Sequence, residues 1–513
     1  MAEHGPLETE LFSLGDCVVS KLIEEDTNQL IPTIPGAILT DSRAVCIRCI
    51  IPCAVLIALL VLALSFSAVD GQFPRACTTA WALRSKICCP SWKGSPCGEH
   101  AGRGECPIKH INTYSQVSQA LHGDNYGDNQ CNDDRMDWPT RYYKYYCRCK
   151  GNYTGYNCGG CKYGHYGEKC DVKKVRVRKE IRTLNVTERE RLLQYLTLSK
   201  STTSKDFVIL VTSDRFDPKA FRFQDTSIYD LYVWIHHYSM KPIDLNCSYT
   251  WNRNFAHQGP AFPTWHRMLL LFLERQIQVL TGDEDFAFPF YDWSRDETCT
   301  ICSEEYLGKN DYEGNILDKS IFSSWGTICG DSDFPNTYCQ SASTDTNRTS
   351  LRRSPGTTQS SSLPTQQDVL NVVRWKDYDN PPYDRTALYS FRNAMEGFLD
   401  PSDGETYGSY VHNRVHNYMG GTMADISISA NDPMFIVHHC FVDFIFELWI
   451  RRHNGRPEDF PESSLPGQRP LEFIVPFYPQ LQNRDLLQTS SVFGYTFQEI
   501  PGYVSWSPDR PYQ

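Results

Sequence analysis

The chain has 513 residues, with 50 Lys and Arg against 61 Asp and Glu, a net charge of −11. Its 41% hydrophobic and 13% aromatic content excludes an intrinsically disordered chain. The acidic balance, with no basic stripe, excludes a nucleic-acid partner. A mean hydropathy of −0.45 excludes a polytopic membrane protein and leaves room for one span.

Residues 1–49 read as a polar tail, acidic near its middle, in which Asp26-Thr-Asn-Gln-Leu30-Ile31 has the form of an acidic dileucine sorting signal for an adaptor. Residues 50–69 are uncharged and apolar, about 30 Å as a helix and long enough to span a bilayer. Arg43 and Arg48 lie on the N-terminal side, so the positive-inside rule sets the tail in the cytosol and the rest in the lumen. This reads as an uncleaved type II anchor, with a late signal peptide cut near Val69-Asp-Gly71 as the alternative. The rest of the chain is lumenal or extracellular either way, and an acidic dileucine would route it to an endosome-related organelle.

Next comes a cysteine-rich module over residues 72–171. Of the 21 cysteines, 11 lie between Cys77 and Cys170, a density that belongs to disulfides in an oxidising compartment. A zinc ribbon at Cys158-Gly-Gly-Cys161 is the alternative, but the spacings do not form four-cysteine ligand sets. Sequons at Asn152, Asn185, Asn246 and Asn347 fit a lumenal chain.

From 172 to 500 the pattern turns helical. Thr187 is expected to cap the helix carrying Leu192, Leu193 and Leu196. Segments 227–240, 261–281, 388–398, 409–419 and 432–453 have apolar residues at helical spacing. Residues 340–368 read as an exposed loop, and the last 55 residues as irregular structure or short strands ending in a tail at 501–513.

The chemistry lies in histidine. Eight of the 14 fall within 236–266 and 412–439. His412 and His416 are one turn apart, so both imidazoles leave one helix face. Neutral imidazoles clustered on apolar elements are ligands for copper or zinc. Scarce carboxylates in both windows disfavour calcium, magnesium and a two-histidine-one-carboxylate iron site. Two such sets facing each other make a dinuclear centre.

His236, Phe255-Ala-His257, Pro263-Thr-Trp-His266-Arg267, His412-Asn-Arg-Val-His416 and Asn431-Asp-Pro-Met-Phe-Ile-Val-His438-His439 with Val442-Asp443 resemble the type 3 copper signatures of the tyrosinase family, in its animal branch. The resemblance covers roughly 73–500. It implies a mainly α fold, a four-helix-bundle core around a dinuclear metal site, preceded by an EGF-like module. It implies one copper ion on His236, His257 and His266 and another on His412, His416 and His439. His438 is left beside the site with Asp443 behind it. His237, where an aromatic is usual, reads as structural, with a ligand exchange between neighbours as the alternative. The implied activity is oxidation of tyrosine-like phenols and catechols to o-quinones with O2, initiating melanin synthesis. A phenol has a pKa near 10, so a base must assist; Glu396 and Asn413 match positions that hold a proton-accepting water. Ile426 and Ser429 match positions lining the substrate pocket.

Within the family, the intact His438-His439 pair and the small Ser409 favour an oxidase over zinc-bearing tautomerase-like relatives or a non-enzymatic member. Tyr291-Asp-Trp293 in place of Trp-Asp-Trp, and Cys440, depart from the pattern. Cys440 reads as a buried thiol, and Phe255 stands where some relatives carry a thioether-forming cysteine. By resemblance the disulfides are Cys77–Cys88, Cys89–Cys106, Cys97–Cys147, Cys149–Cys158, Cys161–Cys170, Cys299–Cys302 and Cys329–Cys339. Cys131 and Cys247 are left to bridge the modules.

Overall fold

Local capping chemistry decides where the long helices begin. In the computed structural model, which describes residues 71–107, 135, 138–139, 142–211, 222–243, 254–330, 339, 349–357, 360–462, 465, 467–478 and 481–503, the first short helix is α1 (Ala80–Ser85). Helix α2 (Val186–Ser201) starts at Asn185, not at Thr187. Asn185 Oδ1 accepts from the Glu188 amide at 3.0 Å while the Glu188 carboxylate accepts from the Asn185 amide at 3.1 Å. This reciprocal box closes two residues earlier than the threonine expectation.

Helix α3 (Ile228–Met240) is capped by Ser227, and every one of its residues is buried, as its all-round apolar sequence requires. Helix α4 (Phe262–Thr281) has Pro263 in its first turn and stops at Gly282, whose φ of 72° is left-handed. Then follow α5 (Gln366–Arg374), α6 (Phe391–Glu396), α7 (Val411–Met419), α8 (Gly421–Ala424) and α9 (Met434–His453). The expected 227–240, 261–281, 409–419 and 432–453 are recovered within two residues, and 388–398 shortens to α6. Helix α5 intrudes on the end of the expected 340–368 loop, and its capping box of Thr365 and Asp368 is the signal that marks it.

The apolar run Phe207–Val211 is the centre of a three-stranded antiparallel sheet between Gly71–Pro74 and Arg222–Gln224. It is buried through Leu210, so its sequence shows no alternation and carries no strand period. Arg176–Arg178 pairs in parallel with Tyr495–Phe497, otherwise the C-terminal stretch is largely 3-10 turns and loops.

All seven disulfides implied by the resemblance are formed. Cys440 is a buried free thiol; Cys131 and Cys247 lie outside the described residues, as do Asn246, Asn347, Leu30-Ile31 and the segment 50–69. Among the described residues no helix is long and apolar enough to cross a membrane. The cysteine-rich segment and the helices share one hydrophobic core, with Phe73, Trp138 and Tyr143 in the same cluster as Trp265 and Phe477. Arg135 binds the segment to the metal-bearing part, donating to the carbonyls of Tyr238, Lys241 and Pro242 at the end of α3.

Candidate metal centre

Each histidine is presented by an element whose local bonds fix it. His236 rides the buried helix α3. His257 sits in the turn before α4, where Asn254 Oδ1 accepts from the amides of Ala256 and His257 at 2.9 and 2.8 Å. Gln468, from the far C-terminal segment, donates Nε2–H to the carbonyls of Asn254 and His257, and its Oε1 accepts from Ala261. Gly259 is needed there, because a Cβ would lie 2.5 Å from Gln468 Oε1. Neither Asn254 nor Gln468 stands out in the sequence: Asn254 acts through a short local turn, and Gln468 through a contact 214 residues away in the chain.

His266 lies in the first turn of α4, and its Nδ1–H donates to Phe262 O at 2.9 Å. His412 and His416 stand one turn apart on α7. His412 Nδ1 is 3.1 Å from Glu396 O and 3.0 Å from Asn413 Oδ1, and His416 Nδ1 is 2.6 Å from Met423 O. A carbonyl can only accept, so in these three rings the proton is on Nδ1 and the Nε2 lone pair is left for a metal.

The side chains converge in two groups. Single nitrogens of His236, His257 and His266 lie within 4.8 Å of one another, as do those of His412, His416, His438 and His439. The two groups abut: the His266 and His439 rings stack at 4.3 Å between centroids with planes 9° apart.

Charge reinforces the arrangement. Burial drives the histidine pKa values down, to about 3 for His266 and about 4 for His416, and well below the usual value for His236, His257, His412, His438 and His439. All are neutral at physiological pH, the ligand form. Buried nitrogens without a hydrogen-bond partner include both of His236, Nε2 of His266, Nε2 of His412 and both of His439. Buried polar atoms are rarely left unsatisfied. An all-nitrogen donor set with orphaned lone pairs fits copper or zinc and suits neither calcium nor magnesium.

At the adjacent pair, Trp293 Nε1–H donates to His438 Nδ1 at 3.1 Å, whereas both nitrogens of His439 are free. His237 lies on another face of α3, its Nδ1 3.0 Å from Ser427 O. Asp443 is buried one turn beyond His439 and binds Arg267, Arg178 and Tyr495. Glu396 is buried; Oε1 accepts from the Gln258 amide at 2.6 Å and Oε2 from Arg392 at 3.2 Å. Burial outweighs Arg392 and raises its pKa to about 7. Asn413 is half-buried on α7. Ser429 is fully buried with an unpartnered hydroxyl, whereas Ile426 is 42% exposed and belongs to no core. Burial pushes the Cys440 thiol up, so it is not a thiolate ligand.

The family model for the common central domain of tyrosinase matches residues 226–452, the stretch that carries both histidine groups. The chain is 40% identical over 458 residues to the tyrosinase of Canis lupus familiaris, covering 87% of this chain and 85% of that one. The chain belongs to the tyrosinase family. A second branch lies further off: the 5,6-dihydroxyindole-2-carboxylic acid oxidase of Gallus gallus is 33% identical, covering 88% of this chain and 87% of that relative. Among solved structures, a polyphenol oxidase from Thermothelomyces thermophila aligns with a TM-score of 0.41 and 16% identity, covering 63% of this chain and 89% of that one. Against the family pattern, the six expected ligand histidines fall three to each group, with His438 as the additional member of the second.

Proposed function

We propose that the protein is a dicopper oxidase acting on tyrosine-like phenols and catechols, giving o-quinones with O2 and so initiating melanin synthesis. The observation that carries this reading is the stacking of His266 on His439 at 4.3 Å, which brings a ring of one triad against a ring of the other. In this reading His236, His257 and His266 hold one copper, and His412, His416 and His439 the other. When bound, two such ions would supply one electron each towards the reduction of O2, with the remaining two electrons coming from the phenolic substrate.

The remaining residues manage the phenol. With its pKa near 7, Glu396 is poised to take the phenolic proton at neutral pH, through a water shared with Asn413. Each carboxylate oxygen keeps a lone pair beyond its bond to Gln258 or Arg392. Ser429 supplies a hydroxyl and Ile426 an apolar edge to orient the ring.

The proposed organisation is a cytosolic tail (1–49) with a Leu30-Ile31 adaptor signal, a membrane segment (50–69), a cysteine-rich module (72–171), a catalytic domain (172–500) and a C-terminal tail (501–513). Asn152, Asn185, Asn246 and Asn347 are the glycosylation sites. Asn152 and Asn185 are exposed, in keeping with this, and the organelle is melanosome-like. The deciding experiment is copper and zinc quantitation on purified protein beside oxygen uptake with tyrosine and dopa. Two coppers per chain with steady uptake are expected. Zinc in their place with no uptake would overturn the reading in favour of a tautomerase-like role.

A further inference from the structure

Of the four imidazoles at the second metal group, His438 is the one that accepts a hydrogen bond from a side-chain donor, Trp293 Nε1–H to Nδ1 at 3.1 Å. An indole N–H only donates, so Nδ1 carries a lone pair. The ring is then neutral with its proton on Nε2, since a protonated Nδ1 would face another N–H. That Nε2 is buried and has no hydrogen-bond partner. His438 is therefore an N–H donor without an acceptor, in contrast to His412 and His416, whose Nδ1–H bonds leave Nε2 lone pairs. Its ring lies 5.1 Å from His412 with planes 18° apart, 4.9 Å from His416 and 5.0 Å from His439. An unsatisfied buried donor costs about 1–3 kcal/mol, a cost tolerated where a ligand completes it.

We infer that His438 is not a metal ligand but the hydrogen-bond donor of the centre, its Nε2–H reserved for a small anion or phenolate oxygen bound at the second metal. Trp293 acts through it as a positioning residue by fixing the tautomer. A ring with a proton on Nε2 and a tryptophan on Nδ1 has no lone pair left for copper, whereas His439 has both nitrogens unpartnered. The inference rests on the dicopper reading, and it accounts for why adjacent histidines hold different roles.

The test titrates the dicupric protein with azide, followed by absorbance, alongside copper content. His438→Phe is expected to keep two coppers per chain and to bind azide about tenfold more weakly. His438→Gln, which restores an N–H donor, is expected to recover most of the affinity. Trp293→Phe, which leaves His438 in place but frees its tautomer, is expected to fall between, and carries the test should His438→Phe fail to fold. Loss of one copper in His438→Phe or His438→Gln would make His438 a ligand and overturn the proposal. So would unchanged azide affinity with two coppers present. Wild-type protein without copper would instead remove the dicopper reading beneath it.

Discussion

Arg267 Nε donates to Asp443 Oδ1 at 2.6 Å, joining the residue next to His266 on α4 to the residue one turn beyond His439 on α9. The pair is fully buried and extends through Arg178, which meets Asp443 at 2.9 Å and Glu274 at 3.2 Å. It ties together the helices that carry one histidine from each group. Buried ion pairs give little net stability, but breaking one strands the partner charge at about 3–5 kcal/mol. Asp443→Ala removes the carboxylate that two buried guanidiniums share, leaving Arg178 with Glu274 and Arg267 with Glu447, and is expected to lower unfolding free energy by about 3 kcal/mol, the low end of that range. Denaturant titration of the metal-free protein reads it directly, and a change under 1 kcal/mol would show the network is dispensable.

Glu396 makes a kinetic prediction. Its carboxyl must be ionised to accept a proton, and burial raises its pKa to about 7. Activity on a monophenol is therefore expected to rise as pH rises through about 7. Glu396→Gln keeps the shape, removes the acceptor and is expected to lower kcat/KM about 100-fold. The limb near neutral pH should vanish with it, while copper content stays at two. A limb that persists in the glutamine variant would assign it to another group.

The metal-free protein should be acid-sensitive through the centre itself. Burial holds the histidine pKa values down, to about 3 at His266 and about 4 at His416, against about 6.5 in the unfolded chain. The unfolded state therefore binds more protons below about pH 6.5, so stability falls as pH falls from there toward about 4. Each such histidine contributes a slope of up to about 1.4 kcal/mol per pH unit. Melting curves of apo protein from pH 7 to 4 should show this decline. His266→Gln and His416→Gln should each flatten it, and a pH-independent Tm would contradict the mechanism.

The centre was more legible in the sequence than the frame around it. The i,i+4 pair His412 and His416 and the apolar helices carrying His236 and His439 announce themselves by period, and the cysteine density announces a disulfide framework. The Phe207–Val211 strand does not, because a fully buried run has no alternation. Helix α2 begins at Asn185 because a capping box outranks a lone threonine two residues later. The anchoring of His257 by Gln468, and the fixing of His438 by Trp293, depend on contacts between distant segments, which no local pattern encodes. Ile426 fits a motif position, yet its 42% exposure is set by the turn between α8 and α9.

Gly397 offers the sharpest steric test of how the second group is held. It follows Glu396 at the end of α6 with φ at 102°, and an added Cβ would lie 2.1 Å from the Tyr410 carbonyl oxygen and 3.0 Å from the Asn413 amide nitrogen. Its amide donates to Asn393 O, and its carbonyl accepts from the Tyr410 amide at 2.9 Å. That close approach sets the Glu396 carbonyl 3.1 Å from His412 Nδ1, which fixes the tautomer of a proposed ligand. Gly397→Ala adds a left-handed strain of about 1 kcal/mol and a clash with backbone, which cannot swing aside as a side chain can. The expected result is a loss of about 2–4 kcal/mol of stability with weaker copper retention at the second group. The first triad should keep its ion, because His236, His257 and His266 share no backbone with this turn. Copper titration against a competing chelator separates the two sites, and equal weakening at both would show that the turn acts on the whole fold instead.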